Sequence, residues 1–265
     1  MNAISFELSG RTACFRKPDV NQFAYFTYNN IHKPALLGML GSILGLGGYT
    51  QLFNQNRAIE EANKSIKKKG DKKPLDDGFP EFYKELKDFK ISITPLAPHG
   101  YFSKKIQVFN NSVGYASKEM GGNLIVREQW LENPKWQIII LDNKTDEYQK
   151  LKDYLLNKKS IFIPYLGKND HIANIDKVQE IELKNKLYDI DGEYYIDSLF
   201  IKGDGSLGMH RESDDSPFIF QEVSPMRLQE EYHFYEYESL IFTNYEPLKI
   251  PKDTYSYEDK NYTFI

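Results

Sequence analysis

The residues of this chain best suited to chemistry are cations at the ends of apolar runs, together with one aromatic loop. Arg11, Arg16 and Lys17 follow the alternating run ISFEL within FELSGRTACFRKP (residues 6–18), and Lys168 and Asn169 close IPYLGKND (residues 163–170). A guanidinium fork matches two phosphate oxygens, and a lysine acts as a point charge. Tyr165 supplies a flat face on which a nucleobase can stack for about 1–3 kcal/mol, or else serves as a half-buried core residue. His32 and Lys33 stand directly before Pro34, where a helix is expected to start, so they could meet a phosphate at its free N–H groups. Arg127 is a further candidate contact, with a salt bridge to Glu128 or Glu132 as its alternative.

Catalytic motifs are mostly excluded. GxxxxGK[ST] is missing, LGLGG lacks the lysine and hydroxyl of a phosphate-binding loop, and GGNL and GDGSLG are too weak for a dinucleotide fingerprint. GxSxG is missing too, and His32, His99, His171, His210 and His233 show no HExxH or other close pairing, so neither a zinc site nor any cofactor is expected. General acid–base cleavage of RNA without metal needs no linear motif. His32 with Lys33, and His99 with Tyr101, are the best candidates for it.

The elements that position these residues are legible in the periodicity. Pro34 opens a helix whose Leu36, Leu37, Leu40, Ile43, Leu44 and Leu46 form an apolar face, while Gly38, Gly41 and Gly45 form a bare stripe. Each glycine costs about 1 kcal/mol against alanine in a helix. The stripe therefore predicts that another backbone lies close, either an RNA or the protein's own sheet. Strands are expected at 4–8, 89–94, 125–128, 136–141, 160–165 and 177–183, with a helix over 146–156. Residues 54–80, with the basic run 67–73, read as a mobile excursion, and 95–126 as an extended arm with a β-hairpin in its base. This order matches the β-α-β-β-α-β arrangement of a ferredoxin-like domain. The fold class is thus α+β: a ferredoxin-like (RRM-like) domain over 1–183 with a long hairpin insertion at about 95–126. A smaller, aromatic, β-rich carboxy-terminal part spans 184–265.

Composition is compatible with a phosphate partner despite a formal net charge of −4. Residues 1–134 hold 18 Lys and Arg against 13 Asp and Glu, while 135–265 hold 16 against 25. Phosphate responds to the local field, so the first half suits a polyanion and the second suits a different partner or water. The single cysteine, Cys14, excludes an internal disulfide, no signal-peptide pattern opens the chain, and the longest apolar run is broken by glycine. A cytoplasmic protein without a membrane partner is expected.

Three ordered segments, FELSGRTACFRKP, KPALLGMLGSILGL and IPYLGKND, resemble the Cas-five family of CRISPR-associated proteins in its type I-B form. The resemblance implies a ferredoxin-like core with a β-hairpin thumb. It also implies a non-catalytic subunit of the surveillance complex Cascade, in antiviral defence, that holds the 5′ handle of the CRISPR RNA. The implied neighbours are the backbone subunit and the large subunit, with target DNA met indirectly through the complex. Subtype C relatives cut the precursor themselves, but their catalytic set does not map onto this chain. A metal-independent endoribonuclease is the alternative, and a protein-interaction module without RNA a third.

Overall fold

The computed structural model describes residues 1–18, 23–66, 68–111, 124–185, 194–203, 207–212 and 216–265. Its first part runs β1 (Asn2–Ser9), β2 (Thr12–Ala13), α1 (Lys33–Leu44), α2 (Tyr49–Lys64), α3 (Glu81–Leu86), β3 (Ile91–Pro95), β4 (Lys104–Asn111), β5 (Leu124–Glu132), β6 (Lys135–Leu141), α4 (Asp146–Leu156) and β7 (Asn174–Glu182). The central sheet is antiparallel in the order β3-β6-β1-β7. With α1 and α4 as crossovers, this is the expected ferredoxin-like arrangement.

Period-two alternation sets the register. Ile4 faces Ile140, which faces Ile91, and Phe6 faces Ile138, which faces Ile93. These rows are buried with Leu36, Leu37, Leu40 and Ile43 of α1 and Leu151 and Leu155 of α4. A one-residue slip would turn every member outward. On the opposite face Ala3, Ile139, Leu141 and Ile181 pack with Tyr262 and Phe264 from the chain's end.

The arm predicted at 95–126 contains β4 and only the start of β5; the two strands pair in register from Lys104↔Leu131 to Asn111↔Leu124, with β2 on the far side of β5. The part of that prediction covering 112–123 lies outside the described residues, as does Lys67 of the basic run. The remainder forms β8 (Phe200–Ile201), β9 (Leu207–His210), β10 (Ile219–Leu228), β11 (Tyr235–Thr243), β12 (Tyr245–Pro247), β13 (Thr254–Tyr257) and β14 (Lys260–Thr263). It closes the β3 edge, where Ile91 and Ile265 exchange backbone hydrogen bonds at 3.0 and 3.1 Å and Leu199 N–H donates to Ile93 at 2.8 Å. Leu199, Met226 and Leu240 join the main core.

Two sequence expectations need correction. Residues 49–64 form helix α2, which buries no residue and which the reading as an excursion missed. It is held by side-chain clamps: Asn56 bonds both ways with Asp76 at 2.9 and 2.7 Å, and Asn63 bonds both ways with Lys73 at 2.9 and 2.8 Å. Residues 160–165 are not a strand. Ile161 and Phe162 donate their N–H groups to Ile43 and Ser42 at 3.0 and 3.2 Å, so the start of this apolar run caps the end of α1, and its end makes only an isolated antiparallel bridge between Tyr165 and Ile172.

Candidate nucleic-acid interface

The segment after β1 is held in extended form against residues 25–28. Lys17 N–H donates to Phe26 at 2.7 Å and Tyr28 N–H to Phe15 at 2.9 Å, with an antiparallel bridge between Arg16 and Thr27. Arg16 is exposed, and its guanidinium carbon lies 3.3 Å from the centre of the Tyr25 ring, a cation–π stack that fixes the fork. Tyr25 is pinned to β5: its N–H donates to Arg127 at 2.9 Å and its carbonyl accepts from Gln129 at 2.8 Å. This brings Arg16 and the exposed Arg127 to the same side strand of the hairpin.

The 165–171 loop reaches this place from the other end of the sequence. Cys14 N–H donates to Leu166 at 3.1 Å, and Leu166 N–H donates to His171 at 2.8 Å. Gly167 sits at φ +88 with no room for a β-carbon against the Cys14 carbonyl, which explains glycine there. The turn delivers Lys168 to the buried Glu128 of β5, with Nζ 2.7 and 2.9 Å from the two carboxylate oxygens and 5.4 Å from the Phe109 ring. Trp130 Nε1 donates to the same carboxylate at 3.0 Å. The buried Cys14 thiol registers this convergence: it is pushed up to about 11 by desolvation and then by Glu128, with Lys168 and Arg16 pulling it down.

Lys17 lies 4.9 Å from the Tyr28 ring and 3.7 Å from Glu222 of β10. Glu222 accepts from the N–H groups of Asn29 at 2.9 and 3.0 Å and Asn30 at 3.3 Å, while burial raises its pKa above the ordinary carboxylate value. Lys104 is lowered by burial and, secondarily, feels Glu222 and Lys17; its Nζ stands 5.1 Å from the exposed Tyr101 ring. Tyr25 and Lys104 were missed by sequence reasoning, which singled out Tyr101 only beside His99 for acid–base chemistry. The KK pair opening KKIQVF was the available signal, since it sits at the base of a predicted hairpin.

Tyr165 and Asn169 remain exposed on the Lys168 loop, and Arg11 is exposed beside β2. Among the described residues Arg11, Arg16 and Arg127 have no carboxylate within ion-pair distance. The hairpin and the segments packed against it thus carry three arginines without carboxylate partners among the described residues, three lysines balanced by carboxylates or rings, and accessible tyrosines. That set suits phosphates with unstacked bases.

Other candidates lie elsewhere and serve the fold. The glycine stripe is covered by the protein's own side chains: a β-carbon at Gly41 would stand 2.6 Å from Phe82 Cβ, and one at Gly38 would lie 3.8 Å from the same ring. Gly45, at φ +79, is the left-handed cap of α1 with Ile161 against it. What approaches the stripe is therefore the Phe82 side chain of α3, and Ile161 at the exposed Gly45, rather than another backbone, so the RNA contact expected at Gly38, Gly41 and Gly45 is corrected. His32 is also not a phosphate ligand: it is buried, caps α1 by accepting from Ala35 N–H at 3.2 Å, and is pushed down to about 3 by desolvation. Lys33 donates to the Ile265 carbonyl at 3.1 Å and is lowered to about 8 by burial. Both are spent on packing the helix start.

No protein-family model matches the chain, and no curated protein matches it in sequence. In fold it is similar to a chain of a CRISPR RNA-guided surveillance complex, with 10% identity, 93% of this chain and 91% of that chain covered, and a TM-score of 0.50. It is also similar to a CRISPR protein from Archaeoglobus fulgidus, with 13% identity, 99% and 98% covered, and a TM-score of 0.46. At these identities the first likeness speaks to the fold, an α+β chain with a ferredoxin-like core.

Proposed function

We propose that this chain is a non-catalytic, RNA-binding subunit of a CRISPR surveillance complex, of the type I-B Cascade kind. In this reading it holds the 5′ handle of the CRISPR RNA and contacts the backbone and large subunits, meeting target DNA only through the assembly. The observation that carries the reading is the gathering of Arg16, Lys17, Lys104, Arg127 and Lys168 around one hairpin, Lys104 and Arg127 on one face of its ladder and Lys168 on the other through Glu128, beside Tyr25, Tyr101 and Tyr165. The fold likeness to a chain of an RNA-guided surveillance complex supports it. The phosphates of the handle would lie along the arginines and its splayed bases against the tyrosines, as single-stranded RNA is commonly held. Lys168 and Lys17 meet the RNA already oriented by Glu128 and Glu222, so less side-chain freedom is lost on binding.

The test is a salt titration of repeat-derived single-stranded RNA against the Arg16→Ala, Arg127→Ala double variant. Both side chains are exposed, so the fold should survive. Lys168→Ala is less suitable, because it would leave a buried carboxylate without its cation. Removing two phosphate contacts should lower affinity about tenfold or more and reduce the log–log salt slope by about 1.4. Unchanged affinity and slope would reject the interface. Incubation with repeat RNA in EDTA separates the ribonuclease reading: one discrete cut lost in His99→Ala would replace the scaffold with an enzyme.

A further inference from the structure

The turn between β10 and β11 carries a second surface, of opposite charge and built from other residues. It is rigidly tied: Gln229 N–H donates to Phe234 at 2.8 Å, His233 N–H to Gln229 at 3.0 Å, and Leu228 N–H to the Tyr83 hydroxyl at 2.6 Å. Tyr232 and Phe234 nonetheless stand 62% and 69% exposed, with their rings nearly parallel at 5.9 Å. Between them His233 adopts φ +56, stacks on Phe79 at 4.5 Å and lies 5.7 Å from Tyr49. Its Nε2 is buried without a hydrogen-bond partner among the described residues. A left-handed backbone and an orphaned imidazole nitrogen are both costly, and such costs concentrate at working sites. Beside them opens a groove of about 420 Å³ lined by Tyr49, Phe82, Tyr232, His233, Phe234 and Tyr235.

Charge selects the occupant. Glu230 and Glu231 are exposed on the same turn and line an adjoining pocket with Glu236 and Asp88, against Lys87 and Arg227, the latter already paired with Glu236. A polyanion is repelled here, whereas a cation finds carboxylates and accessible aromatic faces together. A guanidinium uses both, since it stacks flat on a ring and bonds a carboxylate with its fork. We propose that this aromatic groove, together with the acidic pocket that adjoins it at Leu228, docks an arginine-bearing segment of a protein partner. This goes beyond RNA binding and uses none of its residues.

The test is fluorescence anisotropy of the full chain with a labelled peptide of alternating glycine and arginine, at physiological salt. Its citrulline counterpart keeps the shape without the charge. The arginine peptide should bind at least tenfold more tightly than the citrulline one. It should weaken about tenfold in the Tyr232→Ala, Phe234→Ala variant and severalfold in the Glu230→Gln, Glu231→Gln variant. Tyr232→Leu with Phe234→Leu, which keeps apolar bulk but removes the π faces, should also lose affinity. RNA affinity should stay at the parent value in all of them. Parent-like peptide binding in the Ala or Leu pair, equal binding of the citrulline peptide, tighter binding of an oligoproline, displacement by RNA, or a dimer dependent on Tyr232 and Phe234 would each overturn the proposal.

Discussion

Gly167→Ala is expected to lower the stability of the folded chain by roughly 2–5 kcal/mol, adding a left-handed-region penalty of about 1–2 kcal/mol to an overpacking cost of about 1–3 kcal/mol. Residue 167 sits at φ +88, and an added β-carbon would be driven into the Cys14 carbonyl, a backbone atom that cannot rotate away. Relieving the clash means separating the 165–171 loop from the segment after β2, with loss of the Cys14 to Leu166 hydrogen bond and displacement of Lys168 from Glu128. Gly203→Ala is the control, because Gly203 is also left-handed, at φ +56, but a β-carbon there meets nothing among the described residues. In thermal melts the Gly167 variant should fall by on the order of ten degrees, at about 2–4 °C per kcal/mol, and the Gly203 variant by far less. Equal melting points for the two would mean that the loop yields without resistance.

The second large effect is a loss of stability on acidification, traceable to His32. Desolvation holds this imidazole at about 3 in the folded chain, against 6.5 for the unperturbed group. Below pH 6.5 the unfolded chain therefore takes up a proton that the folded chain refuses. Stability present above that pH is lost as pH falls toward 3, at up to about 1.4 kcal/mol per unit. Between pH 6.5 and 4.5 the loss from this group approaches roughly 2–3 kcal/mol, before most carboxylates titrate. His171, buried and lowered first by desolvation and then by Lys168, acts in the same direction. His32→Asn keeps an acceptor for the Ala35 N–H but has nothing to titrate, so it should flatten the slope of urea-unfolding stability with pH, whatever it costs at pH 7. A variant with the parent's slope would show that the ring is charged in the folded state.

How far the chain could be read in advance follows from the range of each signal. The sheet was legible because Ile4–Leu8 alternates while Trp136–Leu141 is a near-continuous apolar run, as a strand buried on both faces requires. Helix α4 was legible from a 3.6-residue apolar period closed by Thr145, whose hydroxyl accepts from Tyr148 N–H at 3.3 Å. Helix α2 gave no such signal, because its support comes from Asn56 and Asn63 clamping a strap further along the chain.

Within the candidate site, residue type and chain position sufficed to single out Arg16 and Lys168. They could not distinguish Gly41, covered by Phe82, from a bare surface, since both meanings give the same spacing. Nor could they reveal that His32 is enclosed, or that Tyr25 braces Arg16, because those facts depend on partners remote in sequence.

By itself, then, the order of residues settled which segments alternate, where charge accumulates and where the backbone needs glycine, all of which are local consequences of side-chain chemistry. Tertiary structure alone decided which cations share a hairpin base and which glycines are filled by the protein itself. Burial and contact depend on distances that only a closed fold defines. A stripe of missing side chains is an opening only when nothing in the same chain comes back to occupy it, and here Phe82 and Ile161 do.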